Sequence, residues 1–487
     1  MKYRVAGVLA MVLMLLITLL AIALDWGNPN QRVHQHEVAR QPDAGCDCDG
    51  SGLCTHLPLV IIDTGGVEIP GKPIADSYDQ ETGFTVTSEG ESMLSAHIMV
   101  MDSDVHNNHP SDTPKLESEM LIRVRGNSSR YFDKYNYLVR LVDEDGEYQE
   151  QEVMGMDAHY EWALHGPYLD KSLIRNYMWY NIAGEIMDYA PNVRFCEVII
   201  DGEYMGLYVM TETITNGEEC RLNISEPIDG STETGYLLRL DRGGSSPIKN
   251  IETFTSYAYR NLQQLDIKYP RSGSLTQEMA DAIAQEFSDF EKNLYSYDYD
   301  TENYGYHHSI DVSSFVDYFI INEFTANYDA GWLSTYVYKD IGGKYKMVIW
   351  DFNSACNNYT QPVNMPDRFE MQLNVWYYML TKDEDFTEHI IRRYRQLRKT
   401  YLNEQYLNDY IDDVVAYLGP AIERNFEVWG YTFDKEMLDP PERNPQNFEE
   451  AIAQIKDYIH ERGEWMDKNI VILSQYSHES KVKKFNH

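Results

Sequence analysis

Asn327-Tyr328-Asp329, then Ala330-Gly331-Trp332-Leu333-Ser334 and, beyond two β-rich runs, Trp350-Asp351-Phe352-Asn353 form the stretch on which the reading of this chain turns. The runs Thr335–Lys339 and 344–350 flank Gly342-Gly343, a dipeptide suited to a two-residue turn, and so predict a β-hairpin. A turn centred there sets Trp350 opposite Thr335 and Asp351 opposite Ser334. The open end of the hairpin then holds Asp351 close to the loop carrying Asp329, and two carboxylates distant in sequence meet. Upstream, Asp311 is a candidate helix N-cap, and Val312, Phe315, Val316, Phe319 and Ile320 follow helical spacing, which predicts a helix over 311–324.

The order helix, Asp-bearing loop, hairpin, Asp followed by Phe is similar to that of a protein-kinase catalytic core. There one Asp orients the substrate hydroxyl, a residue five positions on binds metal, and a second Asp after the hairpin binds Mg²⁺. Position five after Asp329 is Ser334. Taken singly, either Asp reads equally well as a turn former or a strand-end cap.

Length and composition bound the alternatives. The 487 residues, 43% hydrophobic and 13% aromatic, suffice for two or three core-forming units and exclude a disordered chain. Acidic residues number 78 against 41 basic, a formal charge of −37. Nucleic acid is therefore not expected as a partner, because phosphate binding needs a basic surface, whereas a basic protein would be attracted. Solubility alone is the plain alternative for the acidic excess.

Residues 5–24 are an unbroken apolar run preceded by Lys2 and Arg4, long enough for a transmembrane helix with the short N-terminus in the cytosol and the body outside. Ala21-Ile22-Ala23 resembles a signal cleavage site, so a single-pass anchor at the cell membrane has a secreted or spore-coat form as its alternative. Residues 25–56 read as a polar tether. Within them Cys46, Cys48 and Cys54 are expected as a linker disulfide or free thiols in preference to a zinc site. The segment Asp102-Ser-Asp-Val-His-Asn-Asn-His109 lacks the pattern of a calcium loop and is read as a surface loop.

Strands are expected over 57–62, 96–101, 120–125 and 137–142. Between the last two, Arg125-Gly126-Asn127-Ser128-Ser129-Arg130 is a tight turn of exposed N–H groups and hydroxyls flanked by cations, suitable for a phosphate, with Lys134 beyond it. Asp170 is a capping candidate for a helix through Ile182. The runs 195–200 and 204–210 read as strands joined at Asp201-Gly202, the second ending at Thr211-Glu212. Strands at 235–240 and 265–269, a helix over 277–294 and a largely helical region over 383–475 complete the pattern. No Walker A loop, Gly-x-Gly-x-x-Gly, His-Glu-x-x-His or Gly-x-Ser-x-Gly occurs.

Assembled, these segments resemble the CotH kinase family, the spore-coat-protein-H-like atypical kinases. The resemblance is carried by Arg125 to Arg130 with Lys134 and Tyr137, by Trp162-Ala-Leu164 leading to Asp170 and Asn176, by Asp201 to Tyr208 with Glu212, by Asn327-Tyr-Asp329, and by Trp350-Asp-Phe-Asn353, in the family's order over roughly 57–475. It implies an α+β, kinase-like two-lobed fold: an anchor over 1–24, a tether over 25–56, a β-rich N-lobe with one helix over 57–215, and a mainly helical C-lobe over 216–487. It also implies ATP and Mg²⁺ or Mn²⁺ as cofactors, with transfer of the γ-phosphate to Ser or Thr of a partner protein, here expected to be basic and Ser-rich. By the same resemblance Asp329 is the catalytic Asp and Asp351 the metal-binding Asp. Ser334 and Asn353 neighbour the metal, and Lys134, Arg125, Asn127, Ser128, Ser129 and Glu212 lie on the nucleotide side. Where this sequence has Tyr135, Ser334 and Asn353, the family often has a second basic residue, Asn and an acid. These departures leave open a weak or inactive kinase-fold binding, coat-assembly or adhesion protein, and a metal-dependent hydrolase on the same carboxylates is a third reading.

Overall fold

A computed structural model describes residues 52–75, 83–217, 221–244, 246–256, 263–363 and 365–483, together with Met14, Glu37 and 46–48. The expected membrane run lies outside these residues except for Met14. Among the described residues no helix is long and apolar enough to cross a membrane.

The first half is strand-rich, as expected: β1 (Leu59–Asp63), β2 (Leu94–Met101), β3 (Leu116–Arg125), β4 (Asn136–Val142), a small hairpin of β5 (Gln151–Val153) and β6 (Met156–His159), then β7 (Glu161–His165), β8 (Val193–Ile200) and β9 (Glu203–Glu212). Seven of them close into a barrel in the order β1-β2-β3-β4-β7-β9-β8. The closing contact is a parallel pairing of β1 with β8, Leu59 opposite Glu197. Strand alternation fills the barrel: Met120, Ile122 and Val124 of β3, Tyr137, Val139 and Leu141 of β4, and Trp162, Val198 and Met210 share one core. Asp201-Gly202 makes the β8–β9 turn, both residues at positive φ (50° and 83°), as a tight hairpin of this type requires.

Helix α1 (Arg175–Ile186) lies against the barrel, with Tyr177 stacked on Phe195 at 4.1 Å. It starts later than the capping reading of Asp170 implied. Leu173 has positive φ (67°), and the Asp170 carboxylate is occupied by the N–H groups of Ser172 and Arg175 and by the Arg175 guanidinium. Asp170 thus braces the approach to the helix instead of capping it.

A second, five-stranded sheet has the order β11-β12-β10-β13-β14, where β10 is Tyr236–Asp241, β11 Asn250–Ile251, β12 Gln264–Tyr269, β13 Thr335–Lys339 and β14 Lys346–Val348. The helices of this half are α2 (Gln277–Leu294), α3 (Val312–Phe324), the short α4 (Tyr377–Leu380), α5 (Glu384–Leu397), α6 (Glu404–Leu418), α7 (Pro420–Trp429) and α8 (Phe448–Asn469), of which α2 and α3 lie against the sheet. Asp311 caps α3 by accepting from Ser314 N–H at 3.0 Å. Phe315 to Phe324 are all buried, so α3 is the central helix of the larger core. α7 returns to the barrel at Gly206, where a Cβ would meet Asn425 Oδ1 at 2.6 Å and Trp429 Nε1 at 3.0 Å. Only glycine permits that approach.

Candidate active site

Two loops form the site, and each is fixed by the helix beside it. After α3, Ala326 turns the chain at φ 43°. Asn327, 2% exposed, then donates from Nδ2 to Asn322 Oδ1 at 3.1 Å and to the Asp351 carbonyl at 3.2 Å. The Asp329 carbonyl accepts from Trp332 and Leu333 N–H, closing the turn that presents the Asp329 side chain.

The second loop follows β14. Asp351 is left-handed at φ 66°, an unusual conformation for a non-glycine residue that must be held by its surroundings. Its N–H donates to Tyr180 Oη at 3.0 Å, the next N–H, of Phe352, donates to Asn176 Oδ1 at 2.7 Å, and Arg175 Nε donates to the Ala355 carbonyl at 3.0 Å. All three partners are on α1. Asn176 Nδ2 in turn donates to His165 Nε2 at 3.0 Å; burial, reinforced by the Arg125 charge, lowers the His165 pKa to about 4, which keeps the imidazole a neutral acceptor.

The hairpin forms, with its register shifted by one residue from that expected. Gly343 N–H bonds to the Asp340 carbonyl at 2.9 Å, so Ile341-Gly342 are the central turn residues, and Tyr336 pairs with Val348. Gly342 supplies the positive φ (67°) at the second central position, which Gly342-Gly343 as the central pair would have placed first. Asp351 and Ser334 lie outside the paired strands, and their left-handed backbones, at φ 66° and 49°, take both out of strand alternation. Ser334 nevertheless lies close enough to the Asp351 carboxylate for its hydroxyl to oppose the rise in that group's pKa.

The electrostatics are those of crowded anions partly withdrawn from water. Burial pushes the Asp351 carboxyl up to about 7; Asp329 and Asp241 add to this, whereas Arg125 and the Ser334 hydroxyl oppose it. Asp329 is also raised, first by burial and then by Asp241, against Arg242. Arg125, at the end of β3, lies 5.3 Å above the Trp350 ring, which stacks on Tyr180. Barrel, α1 and hairpin thus meet at the carboxylate pair.

The structure brings together Asp329, Asp351, Ser334 and Arg125. Gly126 (φ 112°) leads from Arg125 into the short 3-10 turn Ser128–Tyr131, with Asn127 and Ser128 exposed beside it. Asn353 follows Asp351 in the same loop, its carbonyl accepting from Asn358 Nδ2. The contacts of Lys134 and Glu212 lie elsewhere. Lys134, 1% exposed, donates to the Leu207 carbonyl and to Asn425 Oδ1, both at 2.7 Å, between the Tyr208 and Trp429 rings; burial depresses its pKa, with Lys171 adding to the effect. Glu212, also buried, accepts from Asn192 N–H at 2.9 Å and ties the ends of β8 and β9. Sequence reasoning missed Asp241 and Arg242. Leu240 of β10 pairs with Thr335 of β13, so the next residues out, Asp241 and Ser334, share one end of the sheet. An Asp-Arg-Gly-Gly run after a strand was the available signal, but it reads as a plain turn.

The donor set suits a hard divalent cation. Asp351 and Asp329 are partly desolvated carboxylates, the charge of Asp329 raises Asp351, and the Ser334 hydroxyl is a neighbouring oxygen. A cation there relieves the repulsion that protonation otherwise relieves. This defines an α+β protein with a paired-carboxylate site. The family model described as CotH kinase protein matches residues 122–466, and the chain belongs to the CotH kinase family. No curated protein matches it.

Proposed function

We propose that this protein transfers the terminal phosphoryl group of ATP to a Ser or Thr hydroxyl of a partner protein in a metal-dependent reaction. The observation that carries the reading is the half-buried Asp329–Asp351 pair, with Arg125 close enough to oppose the Asp351 pKa rise. Mg²⁺ or Mn²⁺ held by Asp351, with Ser334 and Asn353 beside it, supplies charge neutralisation to phosphate oxygens when bound. Arg125 offers its guanidinium fork to the same oxygens, and the N–H groups and hydroxyls of the 126–129 turn complete an anion cradle. Asp329 accepts the hydrogen bond of the acceptor hydroxyl and orients it, and its raised proton affinity suits it to take that proton. In this reading Arg125 does the work first assigned to Lys134, whose ammonium supports the barrel–α7 contact.

The net charge of −37 and Asp241 at the site favour a basic, Ser-containing acceptor. The apolar run 5–24 would place the body outside the cell, as a membrane-anchored or, after cleavage, a secreted or spore-coat protein. The fate of label from γ-labelled ATP, with Mg²⁺ or Mn²⁺ and a Lys/Arg-rich Ser peptide, tests the proposal. Label on peptide Ser supports it. Label released as free phosphate indicates a hydrolase, and no ATP consumption with either metal indicates a binding protein.

A further inference from the structure

Four soft ligands converge where the N-terminal segment meets the barrel. The sulfurs of Cys46, Cys48 and Cys54 and a ring nitrogen of His109 all lie within 4.8 Å of one another. The three thiols carry no disulfide, and Cys46 Sγ is 3.4 Å from His109 Nε2. Sequence separates Cys54 from His109, and a short antiparallel bridge reunites them. Thr55 N–H donates to the Asn108 carbonyl at 3.1 Å, and Asn108 N–H to the Thr55 carbonyl at 2.7 Å, so the next residues out, Cys54 and His109, oppose each other. The segment read as a surface loop is thereby anchored, with Asn107 and Asn108 buried.

The surroundings are those of a ligand set. His109 Nδ1 lies 3.2 Å from Asp112 Oδ2, and His109 N–H donates to the same oxygen at 2.8 Å. A carboxylate at Nδ1 favours the tautomer with the proton there and leaves the Nε2 lone pair for a metal. Asn107 Nδ2 donates to Cys54 Sγ at 3.2 Å, a bond that stabilises thiolate.

Three sulfurs and one imidazole exclude Mg²⁺ or Ca²⁺, which take oxygen ligands. A disulfide would leave one thiol over and give His109 and Asp112 no part. A zinc tetrahedron with Zn–S of about 2.3 Å and Zn–N of about 2.0–2.1 Å has ligand–ligand edges of roughly 3.5–3.8 Å. The separations seen here need only a small contraction to reach that. We propose that Cys46, Cys48, Cys54 and His109 bind one zinc ion as a closed structural site that fastens the N-terminal segment to the barrel. The site leaves no coordination position open, and it takes no part in the chemistry at Asp329 and Asp351.

The test uses the full-length chain in mild detergent, purified with reductant and without chelator. Zinc per chain is measured by mass spectrometry, and the metal-free protein is titrated with cobalt(II). The proposal expects about one zinc per chain and, with cobalt, intense tetrahedral d–d absorption with thiolate charge transfer. Cys54→Ser should lose both. Asp112→Asn should keep the cobalt spectrum while binding zinc roughly 10–100-fold more weakly, the usual effect of losing a partner of a ligating His. Should Cys54→Ser fail to fold, the wild-type spectrum and Asp112→Asn still decide. Wild type without zinc and with only weak octahedral cobalt absorption overturns the site. So does peptide mapping that finds two of the three cysteines disulfide-bonded in freshly isolated, unreduced protein.

Discussion

Ser334 and Asp351 sit beside each other at the open end of the hairpin, where the hydroxyl opposes the rise in the carboxyl's pKa, and both have left-handed backbones, at φ 49° and 66°. Neither conformation is favoured locally, so the fold holds both residues against their preference. What the arrangement achieves is a partly buried carboxylate beside a second one.

Asp351 should make the metal-free protein less stable as pH rises. The folded carboxyl holds its proton up to about pH 7 and the unfolded one releases it near 3.8, so between those values the unfolded chain binds fewer protons and stability falls with increasing pH. Asp351→Asn keeps the shape of the side chain without the charge. In chelator-treated protein at pH 7.5 it is expected to raise stability by on the order of 2 kcal/mol, with the gain fading toward pH 4.5. Thermal melts of both proteins across that range check this.

Arg125→Met should weaken ATP binding by about 10–100-fold, the loss expected when a charge-assisted bond to phosphate is removed. Because Arg125 opposes the rise of the Asp351 pKa, its removal should also move the acid limb of the pH–activity profile to higher pH. Arg125→Lys returns charge without the planar fork and should recover only part of the affinity. Equilibrium ATP binding and a pH–rate series measure the two effects separately.

Lys134→Met should behave in the opposite way. Its ammonium is committed to Leu207 and Asn425, so the loss is expected in stability, about 1–3 kcal/mol, with ATP affinity within about threefold of wild type once the folded fraction is accounted for. Urea unfolding together with nucleotide binding distinguishes the two residues.

Asn176→Ala removes the acceptor of the Phe352 N–H and the donor to His165 at once. Leaving these buried groups unpaired should cost about 2–4 kcal/mol of stability. The Asp351 loop should also exchange its amide protons faster than the rest of the sheet, which hydrogen exchange reads directly.

Much of this fold was legible where the signals are local. The capped, apolar α3, the Asp201-Gly202 turn and the alternating strands of the barrel follow from capping, turn chemistry and side-chain period. The closing of the barrel by parallel β1–β8 pairing was not legible, because it depends on contacts that no local pattern encodes. The same holds for Asp241, which reaches the site only through the pairing of β10 with β13, and for His109, which meets the cysteines through one bridge at Thr55 and Asn108. Two errors were of register. Two adjacent glycines offered two turn centres, and an Asp suited to capping was used as a brace for Arg175. Lys134 was placed by resemblance, and its surroundings in the folded chain are those of a structural cation.

The most direct test of the carboxylate pair is phosphate transfer from γ-labelled ATP to a basic Ser peptide by wild type, Asp329→Asn and Asp351→Asn, each first shown to be folded by near-ultraviolet circular dichroism. The account predicts metal-dependent transfer by wild type and a loss of at least about 100-fold in either variant, the scale expected when a group acting only in the transition state is removed. Transfer that persists within a few-fold of wild type in both variants would contradict it.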